Sequence, residues 1–306
     1  MKLITFGEGL FDNWLKHHIW ANLGVLSGIL SVPSPPNPLR FFFAFCIGDK
    51  MFDPETEVKQ TNAIFELVGV LLGDGYVYYK PPHHHIEISG NATDDRPYLE
   101  NYLSKLLQNL VSKEIHLYEH YDRKGKSIRL TVYSKELVTY LINEIGLVYG
   151  KKKAEIAEIP KQLFRARWNK TKLILRGFVD TDGCLFFCQK GTYKKHSYPM
   201  IEMRSASPKL LNQFQNLLQS NGFNPRLRSV KSRYKSKASY LYLSGEKQLS
   251  KWIYEIGFRN PKHMTKYQVW KQIGYCSPGT ALKERLQKLT QFGLINLHQP
   301  RACYPI

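Results

Sequence analysis

The spacing of apolar and polar positions in this chain switches between helical and strand periods, and from about Asn62 it does so twice in the same order. In the first pass an apolar helical run ends at Leu72. Alternation then predicts a strand over Tyr76–Lys80, a turn at Pro81-Pro82 and a strand over Ile86–Ser89. Leu99, Leu103, Leu106, Leu107 and Leu110 return to helical spacing within Arg96–Val111. Strands Ile115–Tyr121 and Ile128–Tyr133 follow, then a helix over Lys135–Ile145 that Gly146 stops. The second pass predicts a helix ending near Asp182, strands Leu185–Lys190 and Met200–Ser205, helix Lys209–Ser220, strands Arg226–Tyr234 and Ser239–Leu243, and helix Lys247–Ile256. Both final helices close on Glu-Ile-Gly, at 144–146 and 255–257, which fixes the register of the repeat. Each half therefore reads helix, two strands, helix, two strands, helix: an α+β chain built as a pseudo-two-fold pair.

The repeat sets the domain boundaries at 59–166 and 167–276, joined through 150–168. Residues 1–58 form an extension unlike the rest, with an apolar Ile19–Val32, prolines at 33, 35, 36 and 38, and the aromatic run Phe41–Phe45. Met51 is an alternative start. Residues 277–306 carry one more amphipathic helix, Lys283–Leu294. Ile19–Val32 is interrupted by Asn22, glycine and serine and is too short to span a bilayer, so no membrane partner is expected.

Two short stretches break the ordinary rules of a buried helix. Leu67–Gly75 reads Leu-Val-Gly-Val-Leu-Leu-Gly-Asp-Gly, and Leu175–Gly183 reads Leu-Arg-Gly-Phe-Val-Asp-Thr-Asp-Gly. A mid-helix glycine costs about 1 kcal/mol against alanine, so Gly69 and Gly177 call for a packing reason. Gly69 and Gly73 are four apart, as are Gly177 and Thr181, giving each helix a strip of small residues on one face. Two such strips can pack together and bring Asp74 and Asp182 side by side at the negative helix poles, with Gly183 free to take a left-handed cap. Repulsion and the helix dipoles would both be relieved by a hard divalent cation such as Mg²⁺.

These nonapeptides resemble the two motifs of single-chain LAGLIDADG homing endonucleases. The second fits well, with Asp180 at the sixth position. The first has Leu72 there, and Val68 and Arg176 replace the second-position alanine. The resemblance implies αββαββα half-domains with central motif helices and a β-saddle over duplex DNA. It further implies catalytic, metal-holding roles for Asp74 and Asp182 and a double-strand break with short 3′ overhangs that serves intron or gene mobility. The expected form is a monomer; the alternatives are an intron maturase that binds RNA on the same saddle, or a relative that binds DNA but has lost cleavage. Asp180 is a candidate auxiliary acid that would give the second site more negative charge than the first. The family also implies a lysine on a strand beside each metal. Thr131 and Leu243 occupy the positions where it is sought, which leaves Lys80 and Lys190 as substitutes.

Charge agrees with a polyanionic partner. Across 306 residues, 44 Lys and Arg against 25 Asp and Glu give a formal +19, and nucleic acid is the default partner for such an excess. The densest basic stretch is Arg226, Arg228, Lys231, Arg233, Lys235 and Lys237, in which Arg233, Lys235 and Lys237 would share one sheet face as a phosphate-binding row. Arg129, with Thr131 and Tyr133, is its first-half counterpart, and Glu202 with Arg204 could read base edges. His83–His85 follow two prolines and read as a DNA-facing loop tip. Five cysteines without a framework spacing point to a reducing, intracellular compartment, cytoplasmic or organellar. Ending on Tyr304-Pro305-Ile306 rather than His-Asn, the chain is not expected to splice.

Overall fold

A computed structural model describes residues 54–111, 114–122, 125–150, 153–231 and 237–294. In chain order the first half has helix α1 (Pro54–Leu72), strands β1 (Gly75–Lys80) and β2 (His83–Asn91), and helix α2, which runs through Arg96–Tyr98, a π-helical stretch Leu99–Leu103 and Ser104–Gln108. Strands β3 (Ile115–Asp122) and β4 (Gly125–Tyr133) follow, then helix α3, Lys135–Thr139 continued by a π-helical Tyr140–Glu144. Two single turns, α4 (Lys153–Ile156) and α5 (Lys161–Phe164), make the join. The second half repeats the order with α6 (Trp168–Asp182), β5 (Gly183–Lys190), β6 (Tyr193–Ser205), α7 (Pro208–Ser220), β7 (Arg226–Lys231), β8 (Lys237–Ser244) and α8 (Glu246–Glu255). It then adds α9 (Pro261–Ile273) and α10 (Leu282–Gln291).

Both sheets are antiparallel and share one topology, β1-β2-β4-β3 and β5-β6-β8-β7. Gly75 pairs with Ile88 as Gly183 pairs with Met203, and Leu117 pairs with Leu130 as Leu227 pairs with Leu241. Alternation sends one face of each sheet inward. Ile86, Ile88, Leu130 and Val132 are buried with Leu99, Leu103, Leu137 and Leu141; Leu185, Ile201, Met203, Leu241 and Leu243 are buried with Leu210, Phe214, Leu249 and Trp252. Helix starts follow from capping: Ser134 accepts from the Leu137 amide at 3.1 Å and Ser207 from the Leu210 amide at 3.3 Å.

The small-residue strips explain the central contact. A Cβ built on Gly69 would collide with the Ile174 carbonyl oxygen, and one on Gly177 with that of Glu66, lying also 2.9 Å from the Val70 nitrogen. Ile174 stands three residues before Gly177 and Glu66 three before Gly69. The contact is therefore reciprocal, and α1 and α6 lie side by side about an approximate two-fold. Only glycine lets the backbones approach this closely. At the far side of the pair Arg176 clasps Glu66, Nη2 to Oε2 at 2.6 Å and Nε to Oε1 at 3.0 Å, and the Tyr102 hydroxyl adds bonds of 2.9 and 2.8 Å to the same carboxylate. The departure from alanine at position 176 thus ties the two halves together.

Several sequence expectations change here. Gly183 is extended (φ −93°, ψ 171°), not left-handed; it is needed because a Cβ would sit 2.6 Å from the Val179 Cα. His83–His85 lie in β2 rather than on a loop tip: Lys80 pairs directly with His83 across the Pro81-Pro82 turn, and His84 is buried. The basic run does not form one strand: β7 ends at Lys231 and Lys237 opens β8 opposite it. Arg233 and Lys235 lie outside the described residues.

Candidate metal centre and nucleic-acid interface

Asp182 is the last residue of α6, and Asp74 stands just beyond α1 before β1. A Cβ on Gly73 would lie 3.1 Å from the Asp182 Cβ and would overlap the Thr181 hydroxyl, so the two helix ends abut. Both aspartates are exposed to solvent, yet enough protein surrounds their carboxyls to disfavour the charged form. That burial, with the Asp182 charge next in weight and Asp95 adding to it, pushes the Asp74 carboxyl up to about 6 against the pull of Lys262 and Lys153. Burial also raises Asp182, with Lys153, Lys262 and Arg204 opposing. Each carboxylate also stands at the C-terminal end of its helix, where the dipole disfavours negative charge.

That donor set fits a hard divalent cation. Asp74 and Asp182 would hold it, with remaining ligands drawn from water and phosphate oxygens. Among the described residues no group of three His, Cys, Asp or Glu side chains forms a complete cage.

Lysines do reach this centre, but from elements other than the strands. Lys153 Nζ on α4 donates to the carbonyls of Leu71 (2.7 Å), Gly73 (3.1 Å) and Gly75 (2.6 Å), and burial lowers its pKa. On α9, Lys262 Nζ donates to the Thr181 carbonyl at 3.2 Å and pairs with Asp95 Oδ1 at 2.9 Å. Thr181 and Gly73 are equivalent motif positions, so the two ammonium groups are related by the same two-fold. Sequence reasoning missed both. Spacing could have found them, since Lys153 follows Asp74 by 79 positions and Lys262 follows Asp182 by 80. Lys80 and Lys190 are not at this centre. Lys80 closes the tip of the β1–β2 hairpin, six residues or about 20 Å of strand from Asp74. Lys190 ends β5, with its Nζ over the Tyr198 ring at 4.9 Å.

Asp180 also differs from expectation. It is wholly buried, accepts from the Arg259 amide at 2.7 Å through Oδ2, and its backbone carbonyl accepts from Asn260 Nδ2 at 2.8 Å. Burial, opposed by the Arg259 amide, pushes it up to about 7. It anchors the α8–α9 connection from inside the protein. The expectation that it enriches the second site in acid is therefore withdrawn, and the additional carboxylate acting on Asp74 is Asp95.

Each aspartate directly precedes the first strand of its own sheet, β1 after Asp74 and β5 after Asp182. On the second sheet Arg226 and Arg228 are exposed, and the Arg204 guanidinium lies over the Tyr240 ring at 5.4 Å. On the first sheet Arg129 is held by Glu87 at 3.5 Å and is not a free cation. Thr131 and Leu243 are buried. Lys231 and Lys237 are backbone partners at the outer end of β7–β8. Among the described residues no helix is long and apolar enough to cross a membrane.

A family model described as a LAGLIDADG-like domain matches residues 170–257. The chain is similar to a replicative DNA helicase DnaB of Rhodothermus marinus, 27% identical over 202 residues that cover 64% of this chain and 20% of the relative. A second DnaB, from Synechocystis, is 26% identical over 196 residues, 62% of this chain and 21% of the relative. The chain thus spans about a fifth of the length of these curated relatives. Among solved structures it is similar to the homing endonuclease I-DmoI in complex with DNA and Ca, at 14% identity and a TM-score of 0.45 over 65% of this chain and 90% of the other. It is also similar to the I-LtrWI LAGLIDADG homing endonuclease bound to target DNA, at 12% identity and a TM-score of 0.43 over 78% and 99%.

Proposed function

We propose that this chain, whose residues 170–257 match a LAGLIDADG-like domain and whose first half repeats the same element order, is a two-motif LAGLIDADG protein and a site-specific DNA endonuclease hydrolysing one phosphodiester in each strand. The observation that carries this reading is the placement of Asp74 and Asp182 together at the ends of the paired helices, each at the head of its own sheet. The two-fold that relates the halves matches the near two-fold of duplex DNA, so one chain suffices and a monomer is the working form. Its product would be a double-strand break with short 3′ overhangs, serving intron or gene mobility. The helicase chemistry of the DnaB relatives is not assigned to this chain, because the likeness covers a fifth of them.

Each residue has a part that follows from its setting. A bound Mg²⁺ would supply an activated water and charge neutralisation at the scissile phosphate. Asp74 and Asp182 would bind and orient it; burial raises the pKa of both, and for Asp74 the neighbouring Asp182 charge adds to the rise. Lys153 Nζ, an ammonium pinned by three carbonyls beside Asp74 and Asp182, would place a fixed positive charge where negative charge develops on the phosphate. Lys262 Nζ, paired with Asp95, presents positive charge toward the phosphate. The outward sheet faces hold the duplex, assisted by the +19 charge, and binding should weaken steeply with salt.

The test is selection of duplexes from a random DNA pool by the intact chain, followed by incubation of the enriched duplex with Mg²⁺. Cleavage of both strands supports the reading. Enrichment without cleavage indicates a binder that has lost catalysis, and retention of RNA alone indicates the maturase alternative; either result overturns it.

A further inference from the structure

The two sheets have the same topology and register but carry different chemistry on their outward faces. Aligning Gly75–Ile88 on Gly183–Met203 and Leu117–Leu130 on Leu227–Leu241 makes Glu87 equivalent to Glu202. The same alignment sets Ser89 against Arg204, His116 against Arg226 and Tyr118 against Arg228. Three guanidinium groups of the second sheet are thus replaced on the first by a hydroxyl, an imidazole and a phenol.

On the second sheet the arginines are held in place. Tyr240 and Tyr242 stack in parallel, 7° apart in plane and 6.1 Å between centroids. Arg204 lies over Tyr240 at 5.4 Å and Arg228 over Tyr242 at 6.0 Å. Burial, with the Glu202 carboxylate beside the Tyr242 hydroxyl at the edge of the stack, raises the phenol's pKa. Arginine planes restrained on aromatic faces lose less freedom when their forked N–H groups engage a planar acceptor. In the major groove that acceptor pair is O6 and N7 of guanine.

The first sheet instead presents rings. Tyr78 stacks on His85 at 4.9 Å, His85 meets Tyr133 at 5.2 Å, Tyr133 meets His116 at 6.3 Å and His116 meets Tyr118 at 6.0 Å, a ladder crossing all four strands. Tyr118 and Tyr133 are nearly half exposed, at 46% and 47%. Glu87, 3.4 Å from His85 and 3.5 Å from Arg129, occupies the Arg129 guanidinium on this face. Ring faces with neutral hydroxyl and imidazole groups suit the C5-methyl of thymine and the mixed donors and acceptors of A·T pairs.

We propose that the two halves read duplex DNA by different chemistry: the second sheet specifies guanine through Arg204 and Arg228, and the first takes an A·T-rich half-site through its tyrosine–histidine ladder. This rests on the reading of the chain as a site-specific DNA-binding protein. Selection from a random duplex pool by the intact chain should give one half-site enriched in guanine and the other in A·T pairs. Arg228→Lys keeps the charge but loses the fork, and should cut guanine preference roughly tenfold or more in one half-site while leaving the base preferences of the other half-site unaltered. Arg204→Ala should act on the same half-site. Replacing thymine by uracil in the other half-site should weaken wild-type binding and leave the guanine preference unaltered. Guanine enrichment equal in both halves, or an Arg228→Lys effect spread over both, would overturn this proposal alone. A pool that shows no sequence enrichment would overturn both it and the function on which it rests.

Discussion

The close approach of Gly177 to the backbone of α1 permits a test in which two effects have opposite sign. In an isolated helix Gly177→Ala should stabilise by about 1 kcal/mol, because alanine restricts the unfolded chain and favours helix. Here the added methyl would overlap the Glu66 carbonyl oxygen and stand 2.9 Å from the Val70 nitrogen and 3.2 Å from the Glu66 carbon. All three are backbone atoms of a packed helix, so no side chain can swing aside and α1 and α6 must separate. Overpacking of this kind costs about 1–3 kcal/mol, and a backbone obstacle places it at the upper end. The net loss is about 1–2 kcal/mol, or several degrees of melting temperature in a domain of this size. Thermal denaturation by circular dichroism in chelator measures it without involving metal. Gly177→Val and Gly69→Val should lose more. If Gly177→Ala melts at or above the wild-type temperature, propensity has won and the close-packed helix pair is wrong.

Arg176→Met would leave the Glu66 carboxylate buried with only Tyr102 to satisfy it; loss of a buried pair costs about 3–5 kcal/mol, and a loss below about 1 kcal/mol in urea melts would contradict the clasp. Asp74 is held at about 6 in the folded protein and returns to about 4 on unfolding. The folded state therefore binds more protons, so stability without metal should fall as pH rises from about 4 to about 6. Mg²⁺ should raise the melting temperature at pH 7.5 but not at pH 4.5, and Asp74→Asn should abolish that response; a Mg²⁺ shift of equal size in the variant would remove Asp74 from the site. Lys153→Met should slow cleavage about 10²-fold or more with binding retained, whereas Lys80→Met and Lys190→Met should leave the rate unchanged. Equal effects of all three on the single-turnover rate would deny Lys153 its place at the centre.

Much of this architecture was legible because duplication makes each half a check on the other. Gly69 with Gly177 and Asp74 with Asp182 announced the helix pair, and the shared Glu-Ile-Gly endings fixed the strand order. Asp180 was misplaced for a reason that helical geometry contains: it lies three residues beyond Gly177 and so turns toward the buried side, where the Arg259 amide meets it. Lys153 and Lys262 were hidden because neither belongs to a periodic element of the repeat. They reach the aspartates only through the join after α3 and the helix after α8, approaches that local patterning does not encode. The basic run is laid out differently from a single row, since the reversal between β7 and β8 sets Lys237 opposite Lys231. The Arg–Tyr stack needs residues from three strands, so its partners become neighbours only once register is known.

The central claim is that Asp74 and Asp182 together hold the cation that cuts both strands. Its most direct test follows each strand, separately end-labelled, of a duplex selected by the wild-type chain through a Mg²⁺ titration with wild type, Asp74→Asn and Asp182→Asn. Each substitution removes one carboxylate charge and keeps the side chain's shape. The wild type should cut both strands and be silenced by chelator. Each variant should bind the duplex with nearly wild-type affinity yet fail to produce the double-strand break, stopping at uncut or singly nicked DNA. Wild-type cleavage of both strands by either variant, or robust cleavage in chelator, would contradict the account.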